Sequence, residues 1–415
     1  MAKENAKENR SAKTKSKRPD FLALGGFDVP FLLIVITVLT IGLIMLFSSS
    51  YTYAYYNRNG DSTYFFRKQL EFAIVGVILM LFISKIKYDY FRIAALPVLA
   101  VSWFLLVVVL ILPATRGEFH RWINLGLFSF QPSEVAKFAI ILFCAWSMEK
   151  NHRKIIGKTI KKTWLSEKIS NMTDGKINIY DSFVQLCIYG VVIVITAGLI
   201  YAENHLSGTL LILGISVIMM YLGEVKKHWF VLIGIVAVLA IVFFAFNPEI
   251  LKEYAGERIT AWLDKSYEPR GARWQTNNSI YAIGSGGLFG TGLGNSKQKH
   301  LYVSEPQNDF IFSIVCEELG FIRASGIIGL FALLVARGVK IGIRAKDRFG
   351  ALLAMGIVFQ VGLQVAINIA VVTDFLPNTG ISLPFFSYGG SSMIMLMAEM
   401  GIVLSVSRYS RIEKV

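Results

Sequence analysis

Apolar residues fall in long unbroken runs rather than in alternation, and short polar joints separate them. Ten windows reach or approach the roughly 20 residues that cross a bilayer: 28–48, 69–86, 91–112, 132–149, 181–202, 208–223, 229–247, 309–336, 350–373 and 385–406. Barrel strands would alternate, so the pattern predicts an all-α, polytopic integral membrane protein with about ten transmembrane helices in one domain, residues 28–408. Residues 248–308 form a long extracellular loop between the seventh and eighth spans. The ends read as tails: a disordered basic cytoplasmic segment over 1–27 and a short cytoplasmic one over 409–415.

Composition agrees, with 54% hydrophobic and 17% charged residues and a mean hydropathy of +0.54, values that no ordinary soluble domain shows. Lys and Arg set the orientation, because cytoplasmic flanks retain them. With the N-terminus inside, 28 of the 42 fall in inside segments and 12 in outside ones, and seven of those twelve lie in the 248–308 loop. Both termini are then cytoplasmic. The first apolar run lacks a small-x-small cleavage site, so it reads as a retained helix. Cys144, Cys187 and Cys316 all lie in expected spans and read as free buried thiols.

Several soluble-enzyme signals fail. The run GSGGLFGTGLG (284–294) contains neither GxxxxGK[ST] nor a complete GxGxxG, which leaves a structural turn or a substrate-covering loop. The five histidines lack metal-ligand spacing. The outer loop interleaves Arg258, Lys265, Arg270, Arg273, Lys297 and Lys299 with aromatic residues. That mixture suits an anionic amphipathic substrate or an aromatic belt beside lipid headgroups, and its outward location argues against nucleic acid.

Two stretches concentrate polar chemistry. In RWINLGLFSFQPSEVAK (121–137), Pro132, Ser133 and Glu134 open a helix, and Glu134 and Lys137 stand three apart. They form either an ion pair that admits a lysine to the membrane zone or a charged wall of a cavity. In SEPQNDFIF (304–312), a helix starting near Asn308 places Asp309 in its first turn, where a carboxylate complements the dipole. Glu305 precedes it, and Glu317 and Glu318 follow about 12 Å deeper, more acid than a cap requires.

These stretches, with GSGGLFGTGLGNSKQKHLYVSEPQNDFIFSIVCEELGF (284–321) and LPNTGISLPFFSYGGSS (376–392), resemble the signature regions of the FtsW/RodA/SpoVE (SEDS) family. The resemblance spans nearly the whole chain, and GLGNSKQK (292–299) is nearer the division and sporulation branch than the elongation branch. It implies a peptidoglycan glycosyltransferase that joins lipid II into β-1,4 glycan strands outside the membrane and releases undecaprenyl diphosphate. Asp309 would be the catalytic carboxylate, with Arg121, Glu134, Lys137, Lys297, Lys299, Glu305, Glu317, Ser387 and Gly389 as substrate-binding residues. A divalent cation, Mg or Mn, could assist. The implied partners are lipid II, the growing strand, a class B penicillin-binding transpeptidase, other divisome proteins and membrane lipids, at the plasma membrane of the division septum. A lipid II flippase and a divisome scaffold are the other classes open to such a chain.

Two departures stand out. Where relatives carry Pro-Asp-Leu-Gly, this chain has Asn204-His205-Leu206-Ser207, which leaves any role of that Asp open. Arg323 stands where relatives usually have glycine and is expected near the cytoplasmic side of its span, snorkelling or paired with an acid.

Overall fold

The structure, a computed structural model, describes residues 25–112, 121–124, 126, 129–156, 179–246, 258–266, 268, 270–271 and 273–410. The two tails therefore lie outside the described residues almost entirely. Helices occupy all ten apolar windows: α1 Val29–Asn57, α2 Tyr64–Ile83, α3 Asp89–Ile111, α4 Pro132–Lys150, α5 Ile179–Ala202, α6 Leu206–Leu222, α7 Lys227–Phe246, then α9 Ile311–Ile343, α10 Arg348–Val372 and α11 Gly390–Ser407. An additional helix, α8 Trp274–Gly286, lies in the long loop before α9. That loop is thus partly helical. Among the described residues, six helices are long and apolar enough to cross a membrane: α1, α3, α5, α9, α10 and α11. Strand is confined, among the described residues, to a two-residue hairpin, β1 Ile123–Asn124 with β2 Ser129–Phe130, whose second strand leads into α4.

Side chains turned outward explain why hydropathy and burial do not coincide. Leu33, Ile93, Val194 and Leu239 are all exposed, as lipid-facing residues must be when the solvent is hydrocarbon. Cys187 is exposed on such a face, unlike buried Cys144 and Cys316, so the expectation of three buried thiols holds for two. The centre of the bundle is α4, which packs against α3, α6 and α10. Its residues from Ala136 to Ala145 are all buried, and a helix enclosed on every side can be apolar all round. Around it, α2 runs along α11 and α9 along α10.

Helix α9 is broken. Gly320 has φ 77° and ψ 173°, a backbone region that only glycine enters freely. The break leaves carbonyls of the first piece and amides of the second without helical partners, and the glycine-rich loop supplies both. Thr291 and Gly292 amides donate to the Glu317 and Glu318 carbonyls at 2.9 and 3.0 Å, while Phe321 and Ile322 amides donate to the Gly287 and Leu288 carbonyls at 2.9 and 3.2 Å. The backbones approach so closely that a Cβ on Gly290 would stand 2.3 Å from the Glu318 carbonyl oxygen, and one on Gly320 2.2 Å from the Gly290 nitrogen. The glycine cluster is therefore a splint for a broken helix.

This break corrects two expectations. The piece after Gly320, residues 321–343, is roughly 34 Å long at 1.5 Å per residue, enough to cross a hydrocarbon core of about 30 Å. Arg323, exposed, therefore lies at the Asp309 end of that span rather than near its far side. Glu317 and Glu318 belong to the joint, not to the depth of a membrane helix.

Candidate functional site

Asp309 does not lie in the first turn of α9: the helix begins at Ile311, its N-cap is Phe310, and its first turn carries no acid. Phe310 adopts φ −100° and ψ 16°, which delays the helix and leaves the Asp309 carboxylate free of capping. No hydrogen bond or ion pair engages that carboxylate among the described residues. Its backbone, in contrast, is firmly held. Asn368 Nδ2 on α10 donates to the carbonyls of both Asp309 (2.8 Å) and Ile381 (2.6 Å), stitching the segment before α9 to the 376–389 loop. Gly380, at φ +73°, lies against the carboxylate itself, where a Cβ would be 3.1 Å from Asp309 Oδ2.

The charges around Asp309 come from separate parts of the chain. Burial, with Glu305 nearby, pushes its carboxyl up to about 6, against the opposing pull of Arg258 and Arg121. Glu305 is exposed at φ +49°, where Asn308 Nδ2 donates to it at 2.7 Å and the Tyr53 hydroxyl at 3.4 Å. Arg121, just before the hairpin, donates to the Asn204 carbonyl between α5 and α6. Desolvation and Arg258 push its guanidinium down to about 10, and Asp309 and Glu203 oppose this. Arg121 thus lies within electrostatic reach of both acids.

Glu134 and Lys137 form the expected pair at 2.9 Å, with Lys137 nearly buried, and Lys137 also donates to Gln364 Oε1 at 3.2 Å. They line a small cavity with Gln360, Gln364, Ser387 and Glu399, so the ion-pair and cavity-wall readings both describe them. Glu399, in the middle of α11, accepts from Gln360 Nε2 at 3.1 Å.

Other expected substrate contacts are turned inward. Glu317 accepts from Ser296 Oγ (2.5 Å) and the Lys297 amide (2.8 Å), and Lys299 is buried in an ion pair with Glu318 at 2.9 Å. Ser48 on α1 donates to the same Glu318. These groups fasten the 291–299 loop to α9 and α1, because a charge this deep needs a fixed partner. Lys297 remains exposed. Ser387 Oγ donates to the Asn308 carbonyl at 2.8 Å and so braces the Asp309 segment, while the Gly389 amide donates to Gln69 Oε1 on α2 at 3.1 Å. Arg273 and Lys265 of the outer loop are likewise spent on Asp374, each at 2.5 Å.

The residues not anticipated are Glu203, Gln69, Gln360, Gln364, Asn368 and Glu399. The α10 trio carried a signal: a polar side chain every fourth residue in an apolar run marks one helix face. Gln69 carried none. No group of three or more His, Cys, Asp and Glu side chains that could hold a metal occurs among the described residues. Glu305 and Asp309 are a carboxylate pair only, a donor set that suits a hydrated magnesium-like ion shared with a substrate phosphate rather than a closed protein site.

A sequence family described as "Cell cycle protein", covering FtsW, RodA and SpoVE, matches residues 29–412. Stage V sporulation protein E of Bacillus subtilis (strain 168) is 38% identical over 401 residues, 96% of this chain and 99% of that protein. A probable peptidoglycan glycosyltransferase FtsW of Trichlorobacter lovleyi is 36% identical over 387 residues, 92% of this chain and 94% of the relative. Among solved structures, a chain of a peptidoglycan synthase complex that coordinates polymerization and crosslinking superposes with TM-score 0.71 at 24% identity, over 92% of this chain and 98% of its own. Rod shape determining protein RodA of Thermus thermophilus follows with TM-score 0.62 at 23% identity, over 93% and 98%.

Proposed function

The chain belongs to the FtsW/RodA/SpoVE family of cell cycle proteins, and from that premise we propose that it is a peptidoglycan glycosyltransferase that polymerises lipid II. The observation that carries the reading is the unengaged carboxylate of Asp309, held by its backbone, with its acidity shifted to about 6. A base of that strength is ionised at neutral pH and still able to accept a proton.

Asp309 takes the proton from the 4-hydroxyl of the acceptor GlcNAc as that oxygen attacks the anomeric carbon of the donor MurNAc. Undecaprenyl diphosphate departs from the opposite face, and an α-linked diphosphate becomes a β-1,4 bond. One inversion needs a single base and no covalent glycosyl-enzyme. Arg121 and Arg258, the cations whose charge acts on Asp309, stabilise the departing diphosphate, and exposed Lys297 adds charge at the rim. A magnesium-class ion held by Glu305 and the substrate phosphates would supply further neutralisation of that diphosphate when bound.

The enzyme works at the outer face of the bacterial plasma membrane, with both termini cytoplasmic, in synthesis of the division or sporulation septum. A class B penicillin-binding transpeptidase is its partner. Family membership and the synthase-complex neighbour support this assignment. The test is polymerisation of labelled lipid II by purified protein, with and without that partner. Glycan strands are expected, and Asp309→Asn should make none while purifying as folded protein. Strands from that variant, or transport of lipid II without polymerisation by the wild type, would overturn the reading.

A further inference from the structure

Apart from Asp309, the buried acids among the described residues have partners, with one exception. Asp28 is paired with Arg337, Glu318 with Lys299, and Asp374 with Arg273. Glu317 takes hydrogen bonds from the 296–298 segment and Glu399 from Gln360. Glu203 is 0% exposed, yet neither carboxylate oxygen has a hydrogen-bond partner. An acid left this way costs the fold free energy, because desolvation is not offset by any bond.

A structural role does not account for it. Glu203 follows the last residue of α5 and caps nothing: the N-cap of α6 is His205, without a side-chain cap bond. What Glu203 has is a position. Arg121 donates to the carbonyl of Asn204, the residue after Glu203, and its guanidinium lies within electrostatic reach of both Glu203 and Asp309, so one cation links the two acids at the proposed reaction centre. Burial pushes Glu203 up to about 8 while Arg121 draws it back, as for a group whose partner arrives from outside.

We infer that Glu203 is a substrate-binding carboxyl group that hydrogen-bonds the hydroxyl or acetamido groups of the acceptor sugar whose hydroxyl Asp309 deprotonates. A sugar offers neutral donors and acceptors, which a buried carboxyl group can bond in either charge state. The inference rests on the glycosyltransferase reading and deepens it.

The test separates binding from turnover. Binding of labelled lipid II is measured on the Asp309→Asn background, alone and with Glu203→Ala or Glu203→Gln, and thermal unfolding of each ligand-free protein is followed in parallel. Loss of a hydrogen bond to a buried carboxyl group weakens binding roughly three- to ten-fold, so Glu203→Ala should do so. Glu203→Gln, which keeps an acceptor oxygen, should lose less. Ligand-free unfolding temperatures should be unchanged or higher, since a buried polar group without a partner has been removed. Unchanged binding in Glu203→Ala overturns the inference, and so does weaker binding accompanied by a lower unfolding temperature, the mark of a structural residue. Absence of polymerisation by the wild type is a separate result that overturns the glycosyltransferase reading instead.

Discussion

Asp28 and Asp347 at one end of the bundle and Asp309 and Glu203 at the other are all acids beside helix termini, but they are used in opposite ways. Asp28 caps α1 by accepting from the Phe31 amide at 2.9 Å and pairs with Arg337 at 2.8 Å. Asp347 caps α10 through the Gly350 amide at 2.8 Å and accepts from Arg92 and Tyr88, each at 3.0 Å. At the other end, Asp309 and Glu203 cap nothing and bond to nothing, while the backbone around Asp309 is fixed by Asn368, Ser387 and Gln307. The first pair is spent on the fold. The second pair keeps its carboxylates for a ligand, although Asp374 and Glu318 at the same end are spent on ion pairs.

The largest effect that could break this comparison is at Asp309. Removing a general base costs on the order of 10²–10⁴-fold in rate, so Asp309→Asn should abolish lipid II polymerisation with no loss of thermal stability; a stability loss would make Asp309 one more structural acid. The pH profile sharpens the point. A base must be ionised, so with a pKa of about 6 the rate should fall about ten-fold per unit as pH drops below 6 and level off above it. Glu305→Gln removes a charge that raises Asp309 and should move the inflection to lower pH.

Next come the parts that hold the site. Gly320→Ala forces a Cβ into the Gly290 backbone in a conformation alanine resists, and should remove folded protein from a detergent extract as judged by size-exclusion chromatography. Lys299→Met leaves Glu318 buried without its ion pair and should cost about 3–5 kcal/mol of stability, read as a lower unfolding temperature. The smallest effect belongs to the opposite end: removing a cap costs about 1 kcal/mol, so Asp28→Ala should lower stability modestly and leave the polymerisation KM unchanged. A KM change there would dissolve the contrast between the two ends.

Much of the helix plan was legible, because unbroken apolar runs leave the backbone only one way to satisfy itself in hydrocarbon. The Glu134–Lys137 pair was legible too, since its spacing of three is a local helical relation. The break at Gly320 was not. Residues 309–336 read as one apolar span, and the loop that splints the break arrives from some thirty residues upstream. For the same reason Lys299, Glu317, Ser387 and Gly389 looked like ligand contacts: their residue types fit, and only the folded chain reveals which buried partners already occupy them. Glu203 was visible as an acid beside an apolar span, but its lack of a partner is a property of three-dimensional packing.

The splint at Gly290 and Gly320 has a practical consequence. It is made of four backbone hydrogen bonds, and the side chains of Leu288, Phe289, Phe321 and Ile322 that surround it are all exposed. Those four positions can therefore be rewritten with little change to the joint itself. A fluorophore on a cysteine introduced at Phe289 or Phe321 would sit beside the splint and watch lipid or partner arrive while the carboxylates keep their places.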